Sequence, residues 1–413
     1  MDKVKLNMWI LWSFTVFFFA YQFVLRLSPG VLIDEIMIKY QVNASTFGII
    51  TAFYYMGYAG MQIPVGILLD KFGIRYVVSI SALICVLGNL PLIFSDHWLY
   101  ALLGRFLIGI GSAAGALGAI QAVRINFPQK YMSKMIGFTI TFSLLGAIYG
   151  KSISRHLLEL FGMKQSIIYL SVPGIIVALG ILLFVKDTHN KITRDAKQYS
   201  VLSSLKLVAQ DGRIILLSIA GALMVGPLEA FADIFGEPYF ITVYNFSPAD
   251  AGYLTASAIY FGMCLGAPLL AAIADRFKCH YVINITSGMF MAGIFYIILN
   301  KKVSGYAPMF ILTFLVGIMS AYQVLIISTV SSLVPPNVNG VAIATVNMVN
   351  MIAGTAYNAS IGNLLDYYWT GDLINGKRIY SEIAYTDALF ILPITLMLGA
   401  ILCFILKPKP GIC

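Results

Sequence analysis

Gly66-Ile67-Leu68-Leu69-Asp70-Lys71-Phe72-Gly73-Ile74-Arg75 is a short charged turn set between two long apolar runs. Asp70 stands where one run ends, and Lys71 and Arg75 follow at once. Basic residues held this tightly between membrane-length segments mark a cytoplasmic loop, because lysine and arginine stay on the inner side. A weaker copy, Ala271-Ala272-Ile273-Ala274-Asp275-Arg276-Phe277-Lys278, stands about half a chain later. One device used twice, after the second run of each half, implies an internal repeat. Counting back from Asp70 and Asp275, Tyr55 matches Tyr260 and Gly57 matches Gly262, as a duplicated bundle requires.

Composition agrees. Hydrophobic residues are 59% of the chain, charged residues 11%, and the mean hydropathy is +0.86. Water-soluble domains carry about 25% charged residues, so this chain is an integral membrane protein. Its formal charge of +9 does not point to nucleic acid, because the basic residues lie in loops between apolar runs. They report topology and contact with anionic lipid headgroups instead. The five cysteines show no paired spacing and read as free thiols. The first apolar run is too long for a cleaved leader and reads as helix 1.

A spanning helix needs about 20 apolar residues. Twelve runs qualify: 8–36, 45–69, 74–95, 98–124, 131–157, 165–186, 213–240, 248–274, 280–300, 305–333, 338–366 and 384–406. The expected fold is an all-α membrane protein of two six-helix bundles, 1–186 and 213–413. The basic linker 187–212 joins them, with an amphipathic piece at 201–208 expected to lie on the inner membrane surface. With the N-terminus inside, seventeen of the 27 basic residues fall in cytoplasmic segments and six in outer loops. That asymmetry places both termini in the cytoplasm.

The first loop resembles the Gly-x-x-x-Asp-Arg/Lys-x-Gly-Arg/Lys-Arg/Lys signature of the major facilitator superfamily of transporters. Gly66, Asp70, Lys71, Gly73 and Arg75 match it, and Ile74 departs. Gly104-Arg105-Phe106-Leu107-Ile108-Gly109 resembles the helix-4 Arg-x-x-x-Gly pattern of the same family, whose arginine is linked to proton movement. The Gln121-x-x-Arg124 context is similar to a lysosomal dipeptide-transporter branch. The resemblance implies a secondary transporter in which substrate binds near the midplane and the two bundles rock around it. It also implies that Asp70, Lys71, Arg75, Asp275 and Arg276 gate the inner side.

Charges sunk in spans narrow the site, since each costs roughly 2.5–3.5 kcal/mol at the bilayer centre. Arg26 lies in helix 1 with Gln22 one turn before it. Its fork suits a carboxylate or phosphate; the alternative is an arginine that snorkels or pairs with an acid. Glu229, Asp233 and Glu237 stand four apart on helix 7, after Gly226-Pro227. They are expected on one face, opposite Arg26 across a cavity. Glu229 and Asp233 are candidates for a substrate amine or a coupling proton, and Glu237 for a watered helix end. Arg105 is a coupling residue or a structural one, and Lys151 faces the cavity or snorkels. Tyr21, Gln22, Tyr55, Tyr260 and Tyr322 complete the expected binding set.

No phosphate-binding loop, metal-ligand set or catalytic triad can be read, so no cofactor and no enzyme are expected. The solute favoured by opposed charges is a zwitterion, an amino acid or short peptide, moved with a proton by a monomer in a bacterial inner membrane. The alternatives are an organic-anion or phosphate-ester carrier, a drug exporter, or a receptor that no longer transports.

Overall fold

The computed structural model describes residues 3–185, 201–335, 338–374 and 377–407. The first part of the linker therefore lies outside the described residues. Among those described, ten helical stretches are long and apolar enough to cross a membrane. Two of them, Ala44–Phe94 and Lys134–Phe184, run 51 residues, more than twice one span. Each is broken by one glycine, Gly73 at φ 77° and Gly162 at φ 72°. Backbone at such φ suits glycine and strains other residues. Twelve spanning helices result, as in the sequence reading.

They are numbered α1 (Asn7–Val31), α2 (44–72), α3 (74–94), α4 (Trp98–Asn126), α5 (129–161), α6 (163–184), α7 (Gly212–Tyr244), α8 (Pro248–Phe277), α9 (His280–Leu299), α10 (Tyr306–Ser332), α11 (Asn339–Tyr367) and α12 (Glu382–Leu406). Helical spans follow from the lack of any solvent partner for backbone groups in hydrocarbon. The first run divides near Leu32, and a separate helix, Ile33–Tyr40, follows α1. Two two-residue strands, Leu373–Ile374 and Lys377–Arg378, interrupt the connection from α11 to α12.

The chain divides into two compact units, Met1–Arg194 with Asn375–Lys377, and Asp195–Ile374 with Arg378–Cys413. In the first, α2 and α4 touch backbone to backbone. A Cβ on Gly57 would overlap the carbonyl oxygen of Phe106, and one on Gly109 that of Tyr54. In the second, α8 and α10 repeat the arrangement: Gly262 meets the Phe314 carbonyl and Gly317 that of Ile259. Gly57 and Gly262 are the pair matched by counting back from the two loops, and so are Tyr54 and Ile259. Small residues in both members of a helix pair let dispersion contacts replace the hydrophobic drive that lipid removes.

The loops themselves also correspond. Three residues after Asp70 the chain turns at Gly73, with φ 77° and ψ 168°; three residues after Asp275 it turns at Lys278, also at positive φ but left-handed helical, with φ 49° and ψ 44°. The amphipathic piece forms a helix, Val201–Gln210, which packs against α11 and α7 and buries Ser204 and Val208.

Candidate functional site

Two prolines explain the site's geometry. A proline inside a helix has no N–H for the carbonyl four residues earlier and leaves that oxygen without its helical donor. In hydrocarbon some other donor must take it.

In the first unit the proline is Pro29 and the freed oxygen belongs to Leu25. Arg105 Nη1 donates to it at 2.8 Å, and Arg105 Nη2 to the neighbouring Arg26 carbonyl at 3.5 Å. Ser28 Oγ also donates to Leu25 O, at 3.1 Å. The Arg105 guanidinium stands 4.8 Å from the centre of the Tyr54 ring, and the Tyr54 hydroxyl donates to Gln22 Oε1 at 2.8 Å. Arg26 projects beside this assembly, 8% exposed, with its guanidinium 5.4 Å from the Tyr55 ring centre and 5.7 Å from Phe23. Aromatic faces hold a cation in a desolvated site. The structure therefore brings Arg26, Gln22, Tyr55 and Arg105 together.

Lys151 is buried on α5, next to Gly150, where a Cβ would touch Val24 of α1. Tyr21 does not join this set. Its ring and hydroxyl lie against Gly174 of α6, close to Val86 of α3, inside the bundle. Adjacent residues on a helix point about 100° apart, so Tyr21 and Gln22 face different neighbours.

In the second unit the α-helical winding of α7 stops at Met224, Pro227 opens the turn that follows and has no N–H to give, and Leu223 O lies among the carbonyls at that helix end. The Tyr357 hydroxyl donates to this oxygen at 2.7 Å. The helix loosens around this point. Val225 N reaches Ala222 O at 3.4 Å, and Pro227–Phe235 winds as a wide π-turn. Two further carbonyls of α7 take side-chain donors: Gly221 O from the Tyr322 hydroxyl at 2.8 Å, and Glu229 O from Asn358 Nδ2 at 3.2 Å. Glu229, Asp233 and Glu237 are 2%, 0% and 1% exposed. Glu237 is thus interior, not the watered helix end the sequence suggested. The Tyr260 hydroxyl donates to Asp233 Oδ1 at 2.7 Å, tying α7 to α8 beside a second wide turn at Tyr253–Ser257. Tyr322, expected to line a cavity, instead has its hydroxyl bound to the backbone of α7.

The loop residues lie apart from both sets. Asp70 accepts from Gln121 Nε2 at 3.1 Å, and Arg75 Nη2 donates to Leu182 O at 2.6 Å. Lys71 stands over Phe72 and Arg276 over Phe277, while His280 Nε2 lies 3.4 Å from Asp275. The Asp70 and Arg75 contacts tie the first loop to α4 and α6, and the others stay within each loop. Outside the spans, Lys39 donates to Leu92 O at 2.8 Å, and burial lowers its pKa against the opposing pull of Asp96.

Tyr357 and Asn358, absent from the expected binding set, are the α11 residues whose side chains hold carbonyls of α7. The signal was present: counting four back from each membrane proline names the carbonyl that needs a donor.

A sequence model of the Major Facilitator Superfamily matches residues 10–358. An uncharacterized protein of Campylobacter jejuni subsp. jejuni is 26% identical over 188 residues. That match covers 44% of this chain and 58% of the relative's length. Among solved structures, a bacterial homolog to the human lysosomal transporter Spinster resembles this chain in two states. The inward-facing, unoccupied form has a TM-score of 0.70 at 16% identity, covering 98% of this chain and 96% of the other. The occupied form gives 0.68 at 16%, covering 96% and 94%. With the family match spanning most of its length, this multi-pass chain belongs to the Major Facilitator Superfamily, a family of membrane transporters and not of enzymes.

Proposed function

We propose that the chain is a secondary transporter that moves a small zwitterionic solute, an amino acid or short peptide, by alternating access coupled to a proton. The observation that carries this reading is the separation of buried charge by half. Among the described residues, Arg26, Arg105 and Lys151 are the buried cations of the first unit, and Glu229, Asp233 and Glu237 the buried acids of the second. Keeping six ionisable groups in spans is costly, and a transport pathway gives that cost a purpose. Arg26 and Lys151 are the cations assigned to the solute's carboxylate, while Arg105 donates to backbone carbonyls of α1. Glu229 is assigned to its ammonium group. Asp233, hydrogen-bonded to Tyr260, is assigned to the coupling proton, with Arg105 in a supporting role. The paired loops, Asp70 to Arg75 and Asp275 to Arg276, are assigned to gating on the cytoplasmic side of an inner membrane.

An organic-anion carrier is the second reading, favoured by three buried cations, Arg26, Arg105 and Lys151, in the first unit. A thermal-shift panel of amino acids, dipeptides and organic anions on the purified chain separates the two, because a bound solute stabilises the fold it fits. Stabilisation by L-alanyl-L-alanine or an amino acid supports the zwitterion. Stabilisation by dicarboxylates or sugar phosphates alone replaces it with the anion, and silence from every class counts against a small polar solute.

A further inference from the structure

We propose that Tyr357 is a positioning residue: its hydroxyl, bound to the Leu223 carbonyl at the break before Pro227, sets the angle at which the C-terminal part of α7 presents Glu229 and Asp233. The inference deepens the transport reading and rests on it for its functional half.

Gly226-Pro227 and Tyr357 form a matched set. The helix end at Met224 and a proline at 227 that has no N–H together create the demand at Leu223 O. Glycine makes the answer reachable, because a Cβ at Gly226 would stand 3.0 Å from Cε1 and Cζ of the Tyr357 ring. That spacing is tighter than ordinary van der Waals contact, so a side chain at 226 would push the ring off the carbonyl. The hydroxyl then closes the gap at 2.7 Å from α11. Tyr322 from α10 and Asn358 from α11 hold the carbonyls on either side, Gly221 and Glu229. Pro227–Phe235 winds as the π-turn that carries both acids, and α-helical winding resumes over Gly236–Tyr244. π-turns are a cause of sharp helix kinks, so the bonds at the base of this one bear on the direction it takes. Tyr357 pins that base.

The test is a double-mutant comparison on the full-length purified chain: wild type, Tyr357→Phe, Pro227→Ala and both together. Two readouts are taken. The first is amide hydrogen exchange at Leu228 and Glu229. The second is uptake of L-alanyl-L-alanine into proteoliposomes, with KM and Vmax separated. Tyr357→Phe alone should speed exchange roughly three- to tenfold, the equilibrium factor of one neutral hydrogen bond. It should also raise KM while Vmax per folded protein changes little, which a loss of folded protein alone does not produce. In the Pro227→Ala background the restored N–H takes the Leu223 carbonyl, so the same substitution should be nearly silent in both readouts. Equal effects in the two backgrounds, or no effect of Tyr357→Phe in either, overturn the proposal. If wild type does not move the dipeptide, the substrate reading fails by itself and the exchange comparison still decides whether Tyr357 pins the turn.

Discussion

The breaks in α1 and α7 answer one backbone defect with opposite chemistry. Pro29 and Pro227 each lack the N–H that would serve the carbonyl four residues earlier in an unbroken α-helix. The first unit supplies an arginine, Arg105, which adds a buried charge beside Arg26 and takes two carbonyls at once. The second supplies a neutral tyrosine, Tyr357, and leaves the buried charge there to carboxylates. The prolines do not align in the repeat, since Pro29 precedes Asp70 by 41 residues and Pro227 precedes Asp275 by 48. The two breaks therefore stand at different positions of the repeat. What the difference teaches is that the scaffold was duplicated while the polarity of its interior was not.

The largest effect that sharpens this comparison should come from Arg26, the buried cation beside the first break, whose guanidinium stands over Tyr55 and Phe23. Arg26→Ala should abolish uptake while the protein still folds and inserts; unchanged uptake kinetics would remove Arg26 from the site. Next comes Arg105. Arg105→Met strands Leu25 O and should lower stability by about 1.5–3 kcal/mol, the range for hydrogen bonds to charged groups. Pro29→Ala should recover part of that loss in a denaturation series, and no recovery would mean that Arg105 serves something other than the freed carbonyl. Tyr357→Phe, the neutral counterpart, should cost only about 0.5–1.5 kcal/mol in the same assay. A cost matching that of Arg105→Met would erase the distinction drawn between the halves. The smallest effects belong to the two loops. Gly73→Ala should destabilise by roughly 1 kcal/mol, because a side chain is strained at that φ. Lys278→Gly should be neutral or stabilising by up to about 1 kcal/mol for the same reason. Equal signs would show that the two turns are not the same device.

Much of the fold was legible in the chain. Apolar run length and two charged loops were enough for twelve spans and a repeat, because hydrocarbon leaves the backbone few choices. The Gly57 and Gly262 match was legible too, although its meaning, carbonyls meeting at a shared contact, needed coordinates. Run length could not place the break after α1, since Pro29 and Leu32 sit within continuous apolar sequence.

The site was half legible. Hydropathy alone singled out Arg26, Arg105, Lys151, Glu229 and Asp233 as expensive. Direction around a helix was the missing quantity. It sent Tyr21 into the bundle, turned the Tyr322 hydroxyl onto α7, and buried Glu237, whose place near a helix end suggested water. In a π-turn the four-residue spacing of the acids no longer implies the α-helical face assumed for it.

The central claim is that Arg26 binds solute while Asp233 carries the proton, and one measurement separates those jobs. Proteoliposomes of wild type, Arg26→Ala and Asp233→Asn are compared for accumulation of L-alanyl-L-alanine down a pH gradient and for its counterflow without one. Arg26→Ala should lose both activities, and Asp233→Asn should lose accumulation but keep counterflow. Gradient-driven accumulation by Asp233→Asn, or counterflow by Arg26→Ala at the wild-type rate, would contradict the account.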